Sequence, residues 1–203
     1  MAVSNVEYVI NYRETANVDG ELNHEYIREL QESAPFVRWV ATNSGGEAKG
    51  AGVARNIGAK RATAKLLVFL DADDRLHPEF LADTIKEHRR TGRYVYTDWR
   101  SINKQGVHED NLCPDYDPVL VFQRTSIHAV SILIDKAVFW SVGGFDEEMP
   151  AWEDTELQMK LAANGHCGSR VARPLLQYNY NTGKRREIGE TVKQDLITLL
   201  YVS

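Results

Sequence analysis

Leu66-Leu67-Val68-Phe69-Leu70-Asp71-Ala72-Asp73-Asp74 decides how the rest of the chain is read. The unbroken apolar run predicts a strand over Leu66–Leu70, buried on both faces as in a parallel sheet. It stops at acidic residues, and in an open α/β sheet ligands gather outside the carboxyl ends of the strands. Asp71 and Asp73, one residue apart in extended or turn geometry, can aim at one small volume. Carboxylates crowded there repel one another until a cation neutralises them. Oxygen ligands favour Mg²⁺ or Mn²⁺, and Mg²⁺ commonly sits between carboxylates and substrate phosphates. A nucleoside diphosphate leaving group suits such a site, because the metal holds the charge that develops as the bond breaks. The plainer alternative is a turn before a helix cap, which Asp74 or His77 ahead of Pro78 can supply. An EF-hand loop starting at Asp71 is excluded: Arg75, Leu76 and Ala82 stand where it needs an Asp or Asn, a Gly and a Glu.

Downstream of this stretch, Pro78 sits at a helix start and Glu79–Arg90 reads as the helix. Strands are expected at Tyr94–Trp99 and Ile127–Ile134, then a short helix ending over Phe139–Val142 and a turn at Gly143-Gly144. Glu153–Ala163 reads as a helix with Gly165 beyond its end, and Cys167–Ala172 and Leu175–Tyr180 as extended segments. Upstream come a first strand at Val6–Ile10, a short amphipathic helix over His24–Ser33, a strand at Phe36–Ala41 and a helix over Ala51–Ala64. Strands alternating with helices predict an α/β domain, Rossmann-like, with a mostly parallel central sheet flanked by helices. The second half is more mixed.

The glycines ahead of Ala51–Ala64 do not make a nucleotide fingerprint. Gly45 and Gly50 have P-loop spacing, but Ala51-Gly52 occupy the Lys-Ser/Thr positions. Gly50-Ala51-Gly52 is followed by Arg55 rather than a third glycine, so the dinucleotide pattern fails too. What is left is a Gly-rich loop running into Arg55-Asn56, where a helix N-terminus can receive an anion; a surface role for Asn56 is the alternative.

Length and composition narrow the class. The 203 residues fit one domain, and a chain of this size buries roughly 70% of its unfolded surface without needing a disulfide or metal staple. With 43% hydrophobic and 26% charged residues it is an ordinary globular sequence. A net charge of −5 argues against a partner such as duplex nucleic acid. Two cysteines, Cys113 and Cys167, are too few for a secreted disulfide framework and suit free thiols in a reducing cytoplasm. No run approaches the roughly 18–20 apolar residues of a membrane span, and Met1 to Glu7 lacks a signal peptide's basic flank and apolar stretch.

A second acidic pair, Glu153-Asp154, opens the helix after Trp152. The helix dipole favours carboxylates there, which is explanation enough on its own. Burial beside other carboxylates would raise a pKa again and make a base. Two separate acidic sites, one for a metal and one for a proton, are what an inverting group transfer from an activated donor requires. His128, ahead of the strand at Ser131 to Ile134, is read as structural.

Ala54-Arg55-Asn56-Ile57-Gly58, Leu70-Asp71-Ala72-Asp73-Asp74, and Gly143-Gly144-Phe145-Asp146-Glu147 followed by Trp152-Glu153-Asp154 form an ordered set. In order and spacing it resembles the GT-A glycosyltransferases of family 2, over roughly Phe36 to Glu187. The resemblance implies a single GT-A-like domain over 1–203, with 1–100 the donor-nucleotide and metal half and 101–203 the acceptor half and C-terminal loop. It implies metal-dependent, inverting transfer, of hexosyltransferase type, from a UDP- or GDP-linked sugar to a carbohydrate or other hydroxyl acceptor. By the same resemblance Asp71 and Asp73 form the DxD element, with Asp73 the principal metal ligand and Asp71 nearer the ribose. Asp154 is the general base, Glu153 its acceptor-side neighbour, Trp152 a surface for a sugar, and Asp98, at the end of its strand, is placed to meet the donor sugar or the acceptor. Arg55 and Asn56 serve the donor, and Lys184 and Arg186 clamp its diphosphate.

The sequence also departs from the family. One strand rather than two precedes Phe36: either Glu7–Glu14 occupies the second strand's place, with Asn11-Tyr12-Arg13 where its base-binding aspartates would stand, or it is the first strand and the second is absent. Asn181 stands where relatives offer the metal a His. The alternative is therefore an impaired or truncated nucleotide-sugar-binding module that needs a partner chain; a homo-oligomer also stays open. A nucleotidylyltransferase would need a Gly-rich, basic first loop, which Asn11 to Asn17 is not.

Overall fold

The computed structural model describes residues 8–12, 32, 37–41, 50–71, 74–102, 106–123, 131–149 and 151–179, with backbone alone at 8–12, 37–41 and 179. The first strands, β1 (Tyr8–Tyr12) and β2 (Val37–Ala41), pair in parallel from Tyr8 opposite Val37 to Tyr12 opposite Ala41. Helix α1 (Ala51–Arg61) follows, then β3 (Leu66–Val68), β4 (Arg75–Leu76) and helix α2 (Phe80–Thr91). Strands β5 (Tyr94–Ile102) and β6 (His108–Asn111) come next, and then the short helix α3 (Pro118–Phe122). The chain continues through β7 (Leu133–Asp135), α4 (Lys136–Ser141), α5 (Glu153–Ala163) and β8 (Gly168–Asn179).

The main sheet runs β3-β7-β5-β8-β4, with β6 paired to β5. The α/β class holds, but the parallel share is smaller than the alternation implied. Among the described residues of this sheet only β5 and β8 are parallel; β3/β7, β7/β5, β5/β6 and β4/β8 are antiparallel. The cause is local: β5 is followed by a hairpin rather than a crossover helix, and β7 then enters between β3 and β5 in the reverse direction. Cys167–Ala172 and Leu175–Tyr180, expected as separate segments, form one strand to Asn179. The helix expected over His24–Ser33 lies outside the described residues apart from Glu32.

The strand that decided the reading is shorter and less enclosed than expected. Leu67 and Phe69 are buried, but Leu70 is 46% exposed because the chain leaves the sheet after Val68. Phe69 meets Phe139 and Phe145 with ring centroids 5.2 and 5.0 Å apart, and those two rings lie 5.4 Å from each other. This aromatic triangle roots in the core the two segments that carry Asp71 and Asp146. Its members bury large apolar areas and prefer such tilted contacts.

Helix α1 faces inward with a polar stripe. Its buried residues are Gly52, Arg55, Asn56, Gly58 and Ala59, mostly at the spacing of one helix face. An inward stripe of this kind is costly unless its polar groups find partners. The partners of Arg55 and Asn56 define the site.

Candidate active site

Arg55 joins two acidic elements. Its Nη2 donates to Asp71 Oδ1 at 2.6 Å and its Nη1 to Glu153 Oε1 at 2.7 Å, with the residue 8% exposed. Burial alone would lower the guanidinium pKa, but Asp71 and Glu153 more than offset it and hold Arg55 charged. Its Cζ lies 5.4 Å from the centre of the Phe145 ring. Thus the end of β3 and the head of α5 meet across one side chain.

Asn56, the next residue, holds the loop between α4 and α5. Its Nδ2 donates to the Phe145 carbonyl at 2.8 Å and to Glu147 Oε1 at 3.0 Å, while its Oδ1 accepts from the Phe145 N–H at 3.0 Å. At 2% exposure, the amide expected at the donor instead pins a loop, as its buried polar atoms demand. Gly144 (φ +70) permits this approach: a Cβ there would stand 2.7 Å from Asn56 Oδ1. Gly52 likewise passes so close to the loop that a Cβ would meet the Asp146 carbonyl at 2.8 Å. From the far side Lys160 Nζ donates to the Gly144 carbonyl at 2.7 Å.

Trp152 leads into α5 in the left-handed region, at φ 67. For a bulky residue that conformation is strained and persists only where surroundings enforce it. Asp154 follows in the first turn, and its Oδ1 accepts from the Thr155 N–H at 2.6 Å. Burial first, and the like charge of Glu153 second, push the Asp154 carboxyl above the usual carboxylate range; the Thr155 hydrogen bonds and Arg55 act the other way. A carboxyl so raised has the proton affinity a general base needs.

Other expected site residues fall elsewhere. Asp98 is 1% exposed, with Oδ1 and Oδ2 taken by Arg170 Nε at 2.8 Å and Nη2 at 2.9 Å and with the Cys113 N–H also on Oδ1 at 2.9 Å. That corrects its assignment to a sugar: a buried carboxylate must be paired, and Arg170 on β8 pairs it inside the sheet. Asp73, Lys184, Arg186 and Asn181 lie outside the described residues. Among the described residues no group of three or more His, Cys, Asp and Glu forms a metal cluster. Asp71, three residues past the end of β3 with its side chain 36% exposed and one oxygen on Arg55, offers the hard oxygen chemistry a divalent cation prefers. Glu147, quoted in its motif without a role, and Lys160 were missed by the sequence reading as site residues. For Lys160 the signal was present, as it stands four residues after Glu156 and pairs with it at 3.0 Å.

Among the described residues no helix is long and apolar enough to cross a membrane. The sequence matches Glycosyl transferase family 2 over residues 24–143. No curated protein matches it. The fold is similar to S. aureus TarS 1-349 in complex with UDP-GlcNAc, at 17% identity and a TM-score of 0.65, covering 89% of this chain and 51% of that one. The same fragment in complex with UDP gives 17% identity and a TM-score of 0.63, covering 85% and 51%; S. aureus TarS itself gives 16% and 0.65, covering 92% and 33%. The chain thus spans about half the length of the TarS fragment it resembles, and at this identity the likeness speaks for the fold, which is GT-A. With more than half its residues matched, the chain belongs to glycosyl transferase family 2.

Proposed function

We propose that the chain transfers a glycosyl group, with inversion, from a nucleotide-diphosphate sugar to a hydroxyl acceptor. The observation that carries this is the meeting of Asp71, three residues past the end of β3, and Glu153-Asp154, at the head of α5, across Arg55. One acidic site then serves the donor and the other the acceptor. Asp154 takes the proton of the acceptor hydroxyl as its oxygen bonds to the sugar C1, while the bond from C1 to the diphosphate oxygen breaks on the opposite face. Concerted displacement of that kind inverts the anomeric centre. Trp152 offers a face to a sugar, and Lys184 and Arg186 are assigned to the departing diphosphate.

Asp71 and Asp73 would hold a Mn²⁺ or Mg²⁺ ion, which supplies charge neutralisation for the leaving diphosphate. Within one domain over 1–203, residues 1–100 serve donor and metal, and 101–203 serve the acceptor. UDP-GlcNAc, the ligand of a TarS structure, is the first donor to try, and a hexosyl group the first class. The free thiols Cys113 and Cys167 favour a cytoplasmic setting.

The test is turnover of UDP- and GDP-linked sugars with Mn²⁺, beside Asp154→Asn. Release of nucleoside diphosphate by the wild type, lost in the variant, is expected. A wild type inert toward every donor, or a variant equal to it, overturns the proposal.

A further inference from the structure

The guanidinium of Arg55 is one rigid plane, and two of its nitrogens serve different carboxylates. Asp71 stands 16 residues away and Glu153 98, so the contacts join remote parts of the chain. We infer that Arg55 is a positioning residue for the transfer, a clamp that fixes the donor-side carboxylate Asp71 relative to the acceptor-side pair Glu153-Asp154. Its effect on turnover rests on the glycosyl-transfer proposal; the clamp itself does not.

Arginine suits this task and lysine does not. A fork of fixed geometry sets the directions of two acids at once, whereas an ammonium is a point charge on a flexible stem. Stability alone gives little reason for the arrangement, since apolar side chains of similar volume commonly replace a buried ion triad without loss. Geometry gives a stronger one. The head of α5 is entered through the strained backbone of Trp152 at φ 67, which needs neighbours to hold it, and Arg55 holds the very next residue. Beside it, the Asn56 amide fixes the loop that leads to α5. Phe145, stacked near Arg55 at 5.4 Å, limits the room in which the guanidinium can swing. A displacement of about 1 Å between reacting groups costs on the order of 10²-fold in rate, so a joint at this point matters more to turnover than to folding.

Two measurements decide it. The first is a cycle of Asp71→Asn, Glu153→Gln and the double variant, read by denaturant unfolding. If Arg55 joins the two acids, removing both strands a buried cation, and the effects depart from additivity by about fivefold or more in the unfolding constant. Additive effects overturn the clamp, whether or not any sugar is transferred. Arg55→Met should abolish the coupling; if it does not fold, the cycle in the wild-type background still decides. The second measurement is Arg55→Lys, which keeps the charge and removes the fork. Its kcat at saturating donor should fall about tenfold or more, while the Kd for UDP with Mn²⁺ moves by less than about threefold. An unchanged kcat, or equal losses in both, overturns the positioning role. A wild type inert toward every donor overturns the glycosyl-transfer proposal instead, and the stability cycle still judges the clamp.

Discussion

Asp154 and Asp98 show how far a single residue can be read from a sequence. The sequence places one at a strand end and the other at a helix start, and nothing local separates them, yet Asp98 lies inside β5, which runs on to Ile102. Asp98 is consumed by Arg170, 72 residues later, a partner no local pattern announces. Asp154, among the described residues, takes its hydrogen bonds from Thr155 alone, and burial with Glu153 beside it raises its pKa. A base must be deprotonated to act, so kcat/KM should rise with pH through that raised value, with its acidic limb above the ordinary carboxylate range near about 4. Glu153→Gln removes the like charge and releases Arg55 toward Asp154. Both changes lower the Asp154 pKa, so the limb should move to lower pH. Rate profiles of the two proteins check this, and a limb that stays or moves upward would refute it. Asp154→Asn should lose about 10²- to 10⁴-fold in kcat and show no acidic limb in what remains, with UDP binding retained.

At the scale of elements, regularity was legible and partnership was not. Gly143-Gly144 announced a turn, and φ values of +86 and +70 fit it. Only the structure shows that Gly144 alone faces a crowd, with Asn56 Oδ1 at 2.7 Å and Trp140 at 3.0 Å from a built Cβ, while Gly143 faces open space. Gly144→Ala should therefore cost about 2 kcal/mol or more and Gly143→Ala about 1, from backbone strain alone. Denaturant midpoints compare them, and equal losses would mean that Asn56 is not what excludes a side chain.

Helix α2 was expected over Glu79–Arg90 and spans Phe80–Thr91, but its attachment to β8 through Glu87 and Ser169 joins positions remote in sequence. Arg90 first and Ser169 second hold the Glu87 pKa down at about 2, against 4.5 ordinarily. A depressed carboxylate contributes stability at pH above its unfolded value, and that contribution fades as pH falls from about 4.5 toward 2. Glu87→Gln should thus lose about 1 kcal/mol at neutral pH and converge on the wild type near pH 2, as unfolding measured across that range will show. The hairpin β5–β6 and the helix Pro118–Phe122 escaped the sequence reading. The latter carried a signal in Asp117-Pro118: the Asp117 carboxylate caps the Val119 N–H at 2.8 Å.

For the whole molecule, the α/β class followed from alternating elements, whereas strand direction did not, because reversal depends on what connects the strands. β5 and β8 lie at the centre, parallel from Tyr94 opposite Gly168 to Ile102 opposite Asn179, with irregular register around Asp98. Asp98 with Arg170 sits at that irregularity, so the ion pair fastens the sheet where its ladder is broken. The site, by contrast, spans segments far apart in sequence, with α1, the end of β3 and the head of α5 held by side chains rather than by a ladder. A ligand that bridges β3 and α1 should therefore stabilise the whole chain and not merely a loop. At 100 times its Kd a ligand specific for the folded state adds about 2.7 kcal/mol, and in a chain of this length each kcal/mol raises Tm by about 2–4 °C. UDP with Mn²⁺ should accordingly raise Tm by about 5–10 °C at that ratio. Mn²⁺ alone should do less, because carboxylates without a diphosphate leave its coordination to water. Asp71→Asn should remove most of the gain without preventing folding, since the residue is at the rim and its partner Arg55 keeps Glu153. A Tm indifferent to UDP and Mn²⁺ together would sever the end of β3 from donor binding and with it the assignment of Asp71.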